Sequence, residues 1–411
     1  MKLIGPFTQL LSLTDLPAKG GINDKELIVI PQAGVLVQGE NIVAVGNWGE
    51  LQKANLQARL EEVVGERVAM PGLVDAHTHI CSAGSRAMDF AARNAGISYL
   101  DIAAAGGGIW STVTHTRQAS QEELTTLMLE RMDRLLVQGV TTVEVKSGYG
   151  LSVTEELKML RAMKDAASQH SIDVVSTCLA AHMKPRDFSG TNTAYLNVIL
   201  KELVPIIEAE RLAIRFDIFV EKSAFSPDEA RPYLEALQKG GFEITIHGDQ
   251  FTQGGSELAV EINARSVDHL EASEQEDIER LAKSDVIPVV LPGATIGLGC
   301  AWAPARKLLD AGCSLAIASD WNPGSGPQGH LLSQASMLAT FEKLTTAEVL
   351  AGMTHRAASA LGLSDRGQLA AGYLADLISF PCADYQEILY QQGTMPVAEV
   401  WKNGELVKHK L

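Results

Sequence analysis

Short apolar runs alternate with longer segments of helical period along most of this chain. From about residue 141 onward, each run rich in apolar and β-branched residues is followed by an amphipathic helical pattern. An earlier run of the same kind ends in two histidines. Together these patterns predict eight strands, at residues 72–79, 141–146, 173–181, 215–221, 243–247, 266–270, 286–291 and 314–319.

Several of the intervening helices begin at a recognisable signal. In a capping box, a Ser or Thr hydroxyl accepts a bond from an amide of the first turn, and a Glu three residues later bonds back. Strands that are each followed by a helix predict an α/β protein with a (β/α)8 TIM-type barrel. A doubly wound open sheet is the alternative, but no G-x-G-x-x-G follows any strand. The predicted capping boxes start at Ser120, Ser152, Ser226, Ser273 and Thr345.

The two ends of the chain carry a different pattern. Residues 27–45 contain short β runs separated by a turn, and two more β runs near the C-terminus flank Asn403-Gly404, a strong hairpin signal. Because each end is too short for a core of its own, we expect the ends to pair. The sequence therefore predicts a small β-sandwich domain formed by both termini, residues 1–68 and 370–411, beside a barrel over residues 69–369.

Composition narrows the class of protein. With 411 residues, 46% hydrophobic and 20% charged, the chain is typical of a soluble globular protein. Its net charge of -16 argues against nucleic acid or an anionic membrane surface as partner, because both need clustered Lys and Arg. Five scattered cysteines, without a C-x-x-C pair, indicate a reducing compartment, and no signal peptide or membrane span is evident. We therefore expect a cytoplasmic protein.

Histidines and one aspartate lie where the predicted strands end. His77 and His79 are two residues apart on the first strand, so both imidazoles project to the same side. Barrel sites are built at the C-terminal ends of the strands, so we expect the whole set to converge there. A single one of these histidines is better explained as a buried, hydrogen-bonded side chain, but their coincidence favours a site. The set consists of His77, His79, His182, His247, His269 and Asp320.

This set predicts a metal-dependent hydrolase. Three imidazole nitrogens, from His77, His79 and His247, and a carboxylate oxygen of Asp320 would hold one divalent ion with a position left for water. Metal-bound hydroxide would be the nucleophile, and Asp320 would take the water's proton and pass it to a leaving nitrogen. His269 and His182 remain to polarise the carbonyl under attack. These donors suit both Zn and Fe, so the metal stays open.

The motifs around these residues resemble those of the amidohydrolase superfamily over most of the chain. The resemblance is to members that hydrolyse the cyclic amide of 4-imidazolone-5-propanoate to N-formimidoyl-L-glutamate in histidine degradation. It implies one Zn or Fe ion and a small anionic heterocyclic substrate, and it allows a homodimer. The motifs are PGLVDAHTH at 71–79, AAAGGGI at 103–109, VEVKSGYG at 143–150, HGDQ at 247–250, DHLE at 268–271 and DWNPG at 320–324.

The resemblance also implies roles for individual residues. It makes His77, His79, His247 and Asp320 the metal ligands, and it gives Arg86 the propanoate carboxylate as a bidentate partner. Without the resemblance, an ordinary surface arginine would explain Arg86 equally well. The implied substrate contacts are Arg86, Tyr149, His182, Gln250, Asn322, Gly324 and Ser325.

Two positions separate this chemistry from related ones. Deaminases that resemble this family carry Glu in place of Gln250, and a glutamine amide cannot titrate, so ring-opening hydrolysis is favoured over deamination. Some relatives use a carbamylated Lys to bridge two metals, but Lys222 is better explained as a solvated or ion-paired side chain, which predicts one metal. Another cyclic amide hydrolase or a heterocycle deaminase stays the alternative, because loops after strands one, seven and eight depart from the family pattern. A catalytically inactive scaffold would require lost ligands, and every ligand position is filled.

Overall fold

Two eight-stranded sheets organise the chain in a computed structural model that describes residues 1–97, 101–102 and 106–408. The first three residues of the glycine-rich motif, 103–105, lie outside the described residues. Five strands precede the barrel, and they are β1 (Lys2–Leu11), β2 (Val29–Gln38), β3 (Asn41–Asn47), β4 (Arg59–Glu62) and β5 (Val68–Pro71).

The second sheet is a parallel barrel whose strands follow one another in chain order. The ends of the sheet meet where Thr78 bridges Trp321 in parallel and the His79 amide donates to the Trp321 carbonyl at 2.9 Å. The predicted (β/α)8 barrel is therefore confirmed. Its strands are β6 (Leu73–Asp75), β7 (Val140–Lys146), β8 (Asp173–Ala181), β9 (Arg215–Val220), β10 (Glu243–Gly248), β11 (Ser266–His269), β12 (Ile287–Val290) and β13 (Ala316–Ile317).

The remaining strands complete the terminal sheet, and they are β14 (Leu377–Phe380), β15 (Glu399–Lys402) and β16 (Glu405–Lys408). β14 pairs antiparallel with β5, which pairs with β1, so the two ends of the chain build one domain, as predicted. Its strands are hydrogen-bonded into a single, mostly antiparallel sheet. Asn403-Gly404 forms the turn of the β15–β16 hairpin, with both residues at positive φ. The division of the domains at 68/69 and 369/370 stays a prediction.

Most helices cover the outside of the barrel and connect its strands, whereas Trp48–Ala54 packs on the terminal sheet. Among the described residues, none of them is both long enough and apolar enough to cross a membrane. The helices are Trp48–Ala54, Ala87–Asn94, Ile109–Gln118, Gln121–Val137, Val153–Ala167, Asn192–Val198, Val204–Glu210, Pro227–Lys239, Gly255–Glu261, Gln275–Ala282, Pro292–Leu298, Ala305–Asp310, Leu331–Glu342, Thr346–Gly352, His355–Ala360 and Gln386–Tyr390, with a 3-10 turn at Asp24–Glu26 and a π-helical turn at Ile199–Leu203.

One predicted helix start is wrong. Ser273 does not begin a capping box, because its hydroxyl donates to Asp249 Oδ2 at 2.8 Å, and Glu274 caps the helix with Asp277 in the reciprocal position. Ser152 accepts from the first turn without a reciprocal bond in the described residues. The complete boxes are those at Ser120, Ser226 and Thr345.

Candidate metal centre and substrate pocket

Three imidazole nitrogens and one carboxylate oxygen meet at the C-terminal end of the barrel. Nε2 of His79 lies 3.3 Å from Nε2 of His77 and 3.4 Å from Nε2 of His247. Oδ1 of Asp320 lies 3.6 Å from Nε2 of His79 and 3.7 Å from Nε2 of His77. All four side chains are buried. The structure therefore brings the four predicted ligands together, although they are far apart in sequence.

This spacing fits a single metal ion. Nitrogen and oxygen ligands about 2.1 Å from a tetrahedral ion are about 3.4 Å from one another. The lone pairs of neutral imidazoles repel each other at such distances unless a cation lies between them. Burial lowers the pKa values of His77 and His79 well below the usual range, so both rings are neutral, which is the form that binds metals. The donor set is thus one that holds a divalent transition metal.

Two aspartates orient the ligand rings from outside the centre. Nδ1 of His77 donates to Oδ2 of Asp268 at 2.6 Å, and Nδ1 of His247 lies 2.8 Å from Oδ2 of Asp217. A proton held on Nδ1 leaves the lone pair of Nε2 pointing into the site. Sequence reasoning assigned no role to either aspartate, although Asp268 directly precedes a predicted site histidine.

A buried lysine balances these aspartates. Nζ of Lys146 lies 2.8 Å from Oε1 of Glu144, 2.8 Å from Oδ2 of Asp217 and 3.7 Å from Oδ2 of Asp268. Burial by itself would lower the pKa of Lys146, but Asp217 and Glu144 raise it above its ordinary value. Every residue of β7 is buried, including Glu144 and Lys146. Two charged residues at alternating positions of a strand that is otherwise uncharged are the sequence signal that could have indicated this buried ion-pair cluster.

The backbone around two predicted catalytic residues is in the left-handed region. His269 has φ of +92°, Leu270 of +76° and Asp320 of +47°, conformations that are uncommon outside glycine and cluster at functional sites. Nδ1 of His269 lies 3.5 Å from Oε2 of Glu271. Burial lowers the pKa of His269, but Glu271 and Asp320 outweigh it and raise the pKa above its usual value. His269 is therefore the histidine of this set best suited to donate a charged hydrogen bond.

His182 and Tyr149 form another wall of the site. The His182 ring stacks on His79 with 5.6 Å between centroids, and Tyr149 lies 5.8 Å from His79 and 5.5 Å from His182. Nδ1 of His182 donates to the Gly148 carbonyl at 3.1 Å, and burial lowers the pKa of His182 to about 3. The buried carboxylate of Glu156 holds the Tyr149 loop by accepting bonds from the amides on both sides of it.

A cavity of about 420 Å³ opens beside His79 and contains Arg86 in its lining. Nε of Arg86 donates to Oδ2 of Asp89 at 2.7 Å. Arg134 and Trp321 also line the cavity, and the guanidinium of Arg134 lies over the ring of Trp321, 4.6 Å from its centroid. The structure thus places a cationic side chain in a cavity that is also lined by one candidate metal ligand, His79.

The residues after β13 that were predicted to contact the substrate, Asn322, Gly324 and Ser325, interact mainly within their own loop. Oδ1 of Asn322 accepts bonds from the amides of Gly324 and Ser325, and its Nδ2 donates to the Asp320 carbonyl and to Ser325 Oγ. Ser325 Oγ in turn donates to Oδ2 of Asp320 at 3.3 Å. A Cβ atom on Gly324 would lie only 2.4 Å from Nη1 of Arg86, so glycine leaves room for the guanidinium.

Gln250 and Lys222 are less buried than the candidate ligands. Gln250 is half-buried on the loop after β10, and among the described residues its side chain makes no hydrogen bond. The same loop is held by Glu221, which accepts bonds from the amides of Phe251 and Thr252. Lys222 is exposed, in agreement with its interpretation as a solvated side chain.

Comparison with known proteins gives the same class. Residues 96–408 match the amidohydrolase family. An imidazolonepropionase from Deinococcus deserti is 42% identical over 399 residues, covering 95% of this chain and 96% of that protein. One from Symbiobacterium thermophilum is 38% identical over 406 residues, covering 97% and 95%. The solved structure of E. coli guanine deaminase shares the fold, with a TM-score of 0.75 at 15% identity over the full length of both chains.

The match over residues 96–408, on a chain with this barrel and histidine cluster, makes the protein a member of the amidohydrolase family. Within that family, the chain belongs to the imidazolonepropionases.

Proposed function

We propose that this chain hydrolyses the cyclic amide of 4-imidazolone-5-propanoate to N-formimidoyl-L-glutamate, as a cytoplasmic enzyme of histidine degradation. The observation that carries the proposal is the convergence of four ligand atoms beside a pocket that contains Arg86. It is supported by the names of relatives 42% and 38% identical over nearly the whole chain. A homodimer and the absence of nucleic-acid partners stay predictions.

His77, His79, His247 and Asp320 would hold one divalent ion, Zn or Fe. Such an ion lowers the pKa of water toward neutrality and polarises a carbonyl, which is the chemistry that amide hydrolysis requires. Imidazole and carboxylate donors suit both metals, so the choice between them depends on availability.

Asp320 is the proposed proton carrier. Burial raises the pKa of Asp320 above its usual value, which favours a carboxylate that can accept a proton and give it up again. Water adds through its oxygen to the amide carbonyl carbon, and the ring carbon–nitrogen bond breaks. Asp320 takes one proton from that water and delivers it to the departing nitrogen, so that the product carries a new carboxylate and an open formimidoyl group.

His269 and His182 are proposed to act on different parts of the substrate. The raised pKa of His269 favours a donor to the carbonyl oxygen as negative charge develops there. His182 is neutral and holds its proton on Nδ1 against Gly148, so its Nε2 is an acceptor suited to a ring N–H. That bond favours an accepting role for His182 over polarisation of the carbonyl.

The remaining predicted residues would recognise the substrate. Arg86 would bind the propanoate carboxylate, and Tyr149 would contact the ring from the wall it shares with His182. Asn322, Gly324 and Ser325 would act through the loop that they shape next to Asp320. Gln250 is proposed to contact the ring from the loop after β10.

The test is turnover of imidazolonepropanoate by the purified, metal-replete chain. We expect loss of the substrate's absorbance, formation of formimidoylglutamate without ammonia, and about one metal ion per chain. His247→Ala removes one ligand and is expected to abolish both metal retention and turnover. A fully metal-loaded chain that leaves this substrate intact would contradict the proposal. Release of ammonia from an aminated heterocycle would instead support the alternative, a heterocycle deaminase.

A further inference from the structure

One acidic side chain holds the guanidinium of Arg86 inside the cavity. Asp89 lies one turn after Arg86, in the first turn of helix Ala87–Asn94, and is only 7% exposed. Its Oδ2 accepts a bond from Nε of Arg86 at 2.7 Å and a second bond from the amide of Gly108 at 2.9 Å. The carboxylate therefore joins the arginine to the glycine-rich segment that precedes helix Ile109–Gln118.

The glycines at this contact leave no room for side chains. A Cβ atom on Gly107 would lie 2.5 Å from Oδ1 of Asp89, and Gly108 has φ of +74°. This close approach accounts for a glycine here, whereas phosphate binding would need a P-loop lysine, which does not follow the three glycines. The described part of the segment thus fixes the position of the Asp89 carboxylate.

The helix that carries Asp89 is also anchored on its other side. Nη2 of Arg93 donates to the carbonyls of Gly297 and Gly324, each at 3.3 Å. Gly324 belongs to the loop after β13 that carries Asp320 at its start. The bonds of Arg93 thus connect the helix of Asp89, and the adjacent Arg86, to the loop that begins at the candidate proton carrier, Asp320.

The bond to Asp89 decides which edge of the arginine faces the substrate. A guanidinium can bind a carboxylate bidentately through Nε and Nη2 or through Nη1 and Nη2. Asp89 occupies Nε, which leaves the Nη1–Nη2 edge. We propose that Asp89 is a positioning residue that presents this edge of Arg86 to the carboxylate of the substrate. This inference rests on the proposed function.

The test is a double-mutant cycle with Asp89→Asn and Arg86→Gln, measured on imidazolonepropanoate. The amide of Asn keeps the shape but loses the charged acceptor, so the guanidinium must be ordered anew when the carboxylate binds. We expect KM to rise about tenfold, with kcat changed less than about twofold. In the Arg86→Gln background, Asp89→Asn should change KM less than about twofold.

Binding of imidazole-4-propanoate and of its carboxamide, by calorimetry, gives a readout that does not depend on turnover. Asp89→Asn should weaken the propanoate about tenfold and leave the carboxamide unchanged. If the wild-type chain binds the propanoate in this Asp89-dependent way without hydrolysing imidazolonepropanoate, the proposed function fails and the positioning role stands. The propanoate failing to bind the wild-type chain would overturn the positioning role.

Matched variants separate positioning from folding. Glu261→Gln removes the acceptor of an exposed Arg231–Glu261 ion pair and is expected to change neither KM nor Kd. If Asp89→Asn does not fold, Asp89→Glu keeps the charge but displaces it by one methylene, and it should still weaken the propanoate selectively. Equal effects on propanoate and carboxamide, or equal effects with and without Arg86, would overturn the inference.

Discussion

The chemistry of single residues depends on which imidazole nitrogen carries the proton. Asp268 accepts the Nδ1 proton of His77, and Gly148 accepts that of His182. The same kind of bond therefore gives one ring a lone pair for a metal and the other a lone pair for a substrate. Only the acceptor of His77 is a side chain, so a substitution of Asp268 can test the effect of this bond.

Replacing the acceptor of His77 is expected to weaken metal binding. Asp268→Asn should lower the metal affinity about 10- to 100-fold, because the ring loses the charged partner that fixes its orientation and raises its basicity. Competition with a chelator measures this affinity, and excess metal should restore part of the activity. Asp285→Asn, at an exposed acidic residue paired with Lys19, serves as the control. Unchanged affinity in Asp268→Asn would contradict the assigned role.

A histidine outside the site is expected to limit acid stability. Neither ring nitrogen of His355 has a hydrogen-bond partner in the described residues, and burial beside Arg356 lowers the pKa of His355 to about 4 from 6.5. Between these values the unfolded chain binds a proton that the folded chain does not. His355 therefore does not lower the free energy of unfolding above pH 6.5. As the pH falls from 6.5 toward 4, it lowers that free energy by about 3 kcal/mol at most.

The measurement is the free energy of unfolding by urea between pH 7 and pH 4. His355→Leu should flatten this pH dependence, since leucine binds no proton in either state. His170→Leu is a useful comparison, because Nε2 of His170 has a partner, Oδ1 of the exposed Asp133 at 3.3 Å, whereas His355 has none in the described residues. A pH profile that is identical in the wild type and in His355→Leu would rule the explanation out.

At the scale of elements, strands that alternate with helices were predictable because their apolar runs are unbroken. The strand β8 has the predicted bounds, 173–181, whereas β6 ends at Asp75. The residues after it bond on both sides, since the Thr78 carbonyl accepts from the Lys146 amide and the His77 carbonyl accepts from the Asp320 amide. β1 is not predicted, since it contains Gly5-Pro6, which breaks a strand pattern; this pair falls at the irregularity between Ile4 and Phe7.

The candidate ligands were predictable for a different reason: metal-binding side chains at strand ends converge in any closed barrel. The residues that orient them were not, because a buried Asp or Lys gives no sequence signal of which ring it bonds. The left-handed backbone at His269 and Asp320 is also set by tertiary contacts, since local sequence would favour other conformations there.

Close packing between two elements is expected to control the loop that carries Asp320. A Cβ atom on Gly297 of helix Pro292–Leu298 would lie 1.6 Å from the Ser325 carbonyl oxygen. Gly297→Ala should therefore displace the loop, lowering stability by about 1–3 kcal/mol and reducing kcat. Urea unfolding and steady-state kinetics measure the two effects. Gly46→Ala, where nothing lies within 4 Å, is the control, and an unaffected Gly297→Ala would refute the packing argument.

At the scale of the whole molecule, one end of the barrel contains the candidate site and the other end contacts the terminal sheet. The candidate ligands lie at the C-terminal ends of the strands, whereas the terminal sheet is joined to the opposite end. The amide of Gly72, just before β6, donates to the carbonyl of Asp376, just before β14, and Lys402 of β15 donates to Asp173, the first residue of β8. The terminal domain therefore closes the end of the barrel that does not contain the site.

This separation predicts a variant that loses stability without losing catalysis. Nζ of Lys402 donates to Oδ2 of Asp376 at 2.7 Å, and both side chains are almost fully buried. Lys402→Ala leaves that carboxylate without its partner and should cost about 3–5 kcal/mol, measured by urea unfolding. At a temperature where the variant is still folded, kcat and KM should match the wild type, because the pair lies at the far end of the barrel. A folded variant with a tenfold lower kcat would show that the terminal sheet influences the site directly.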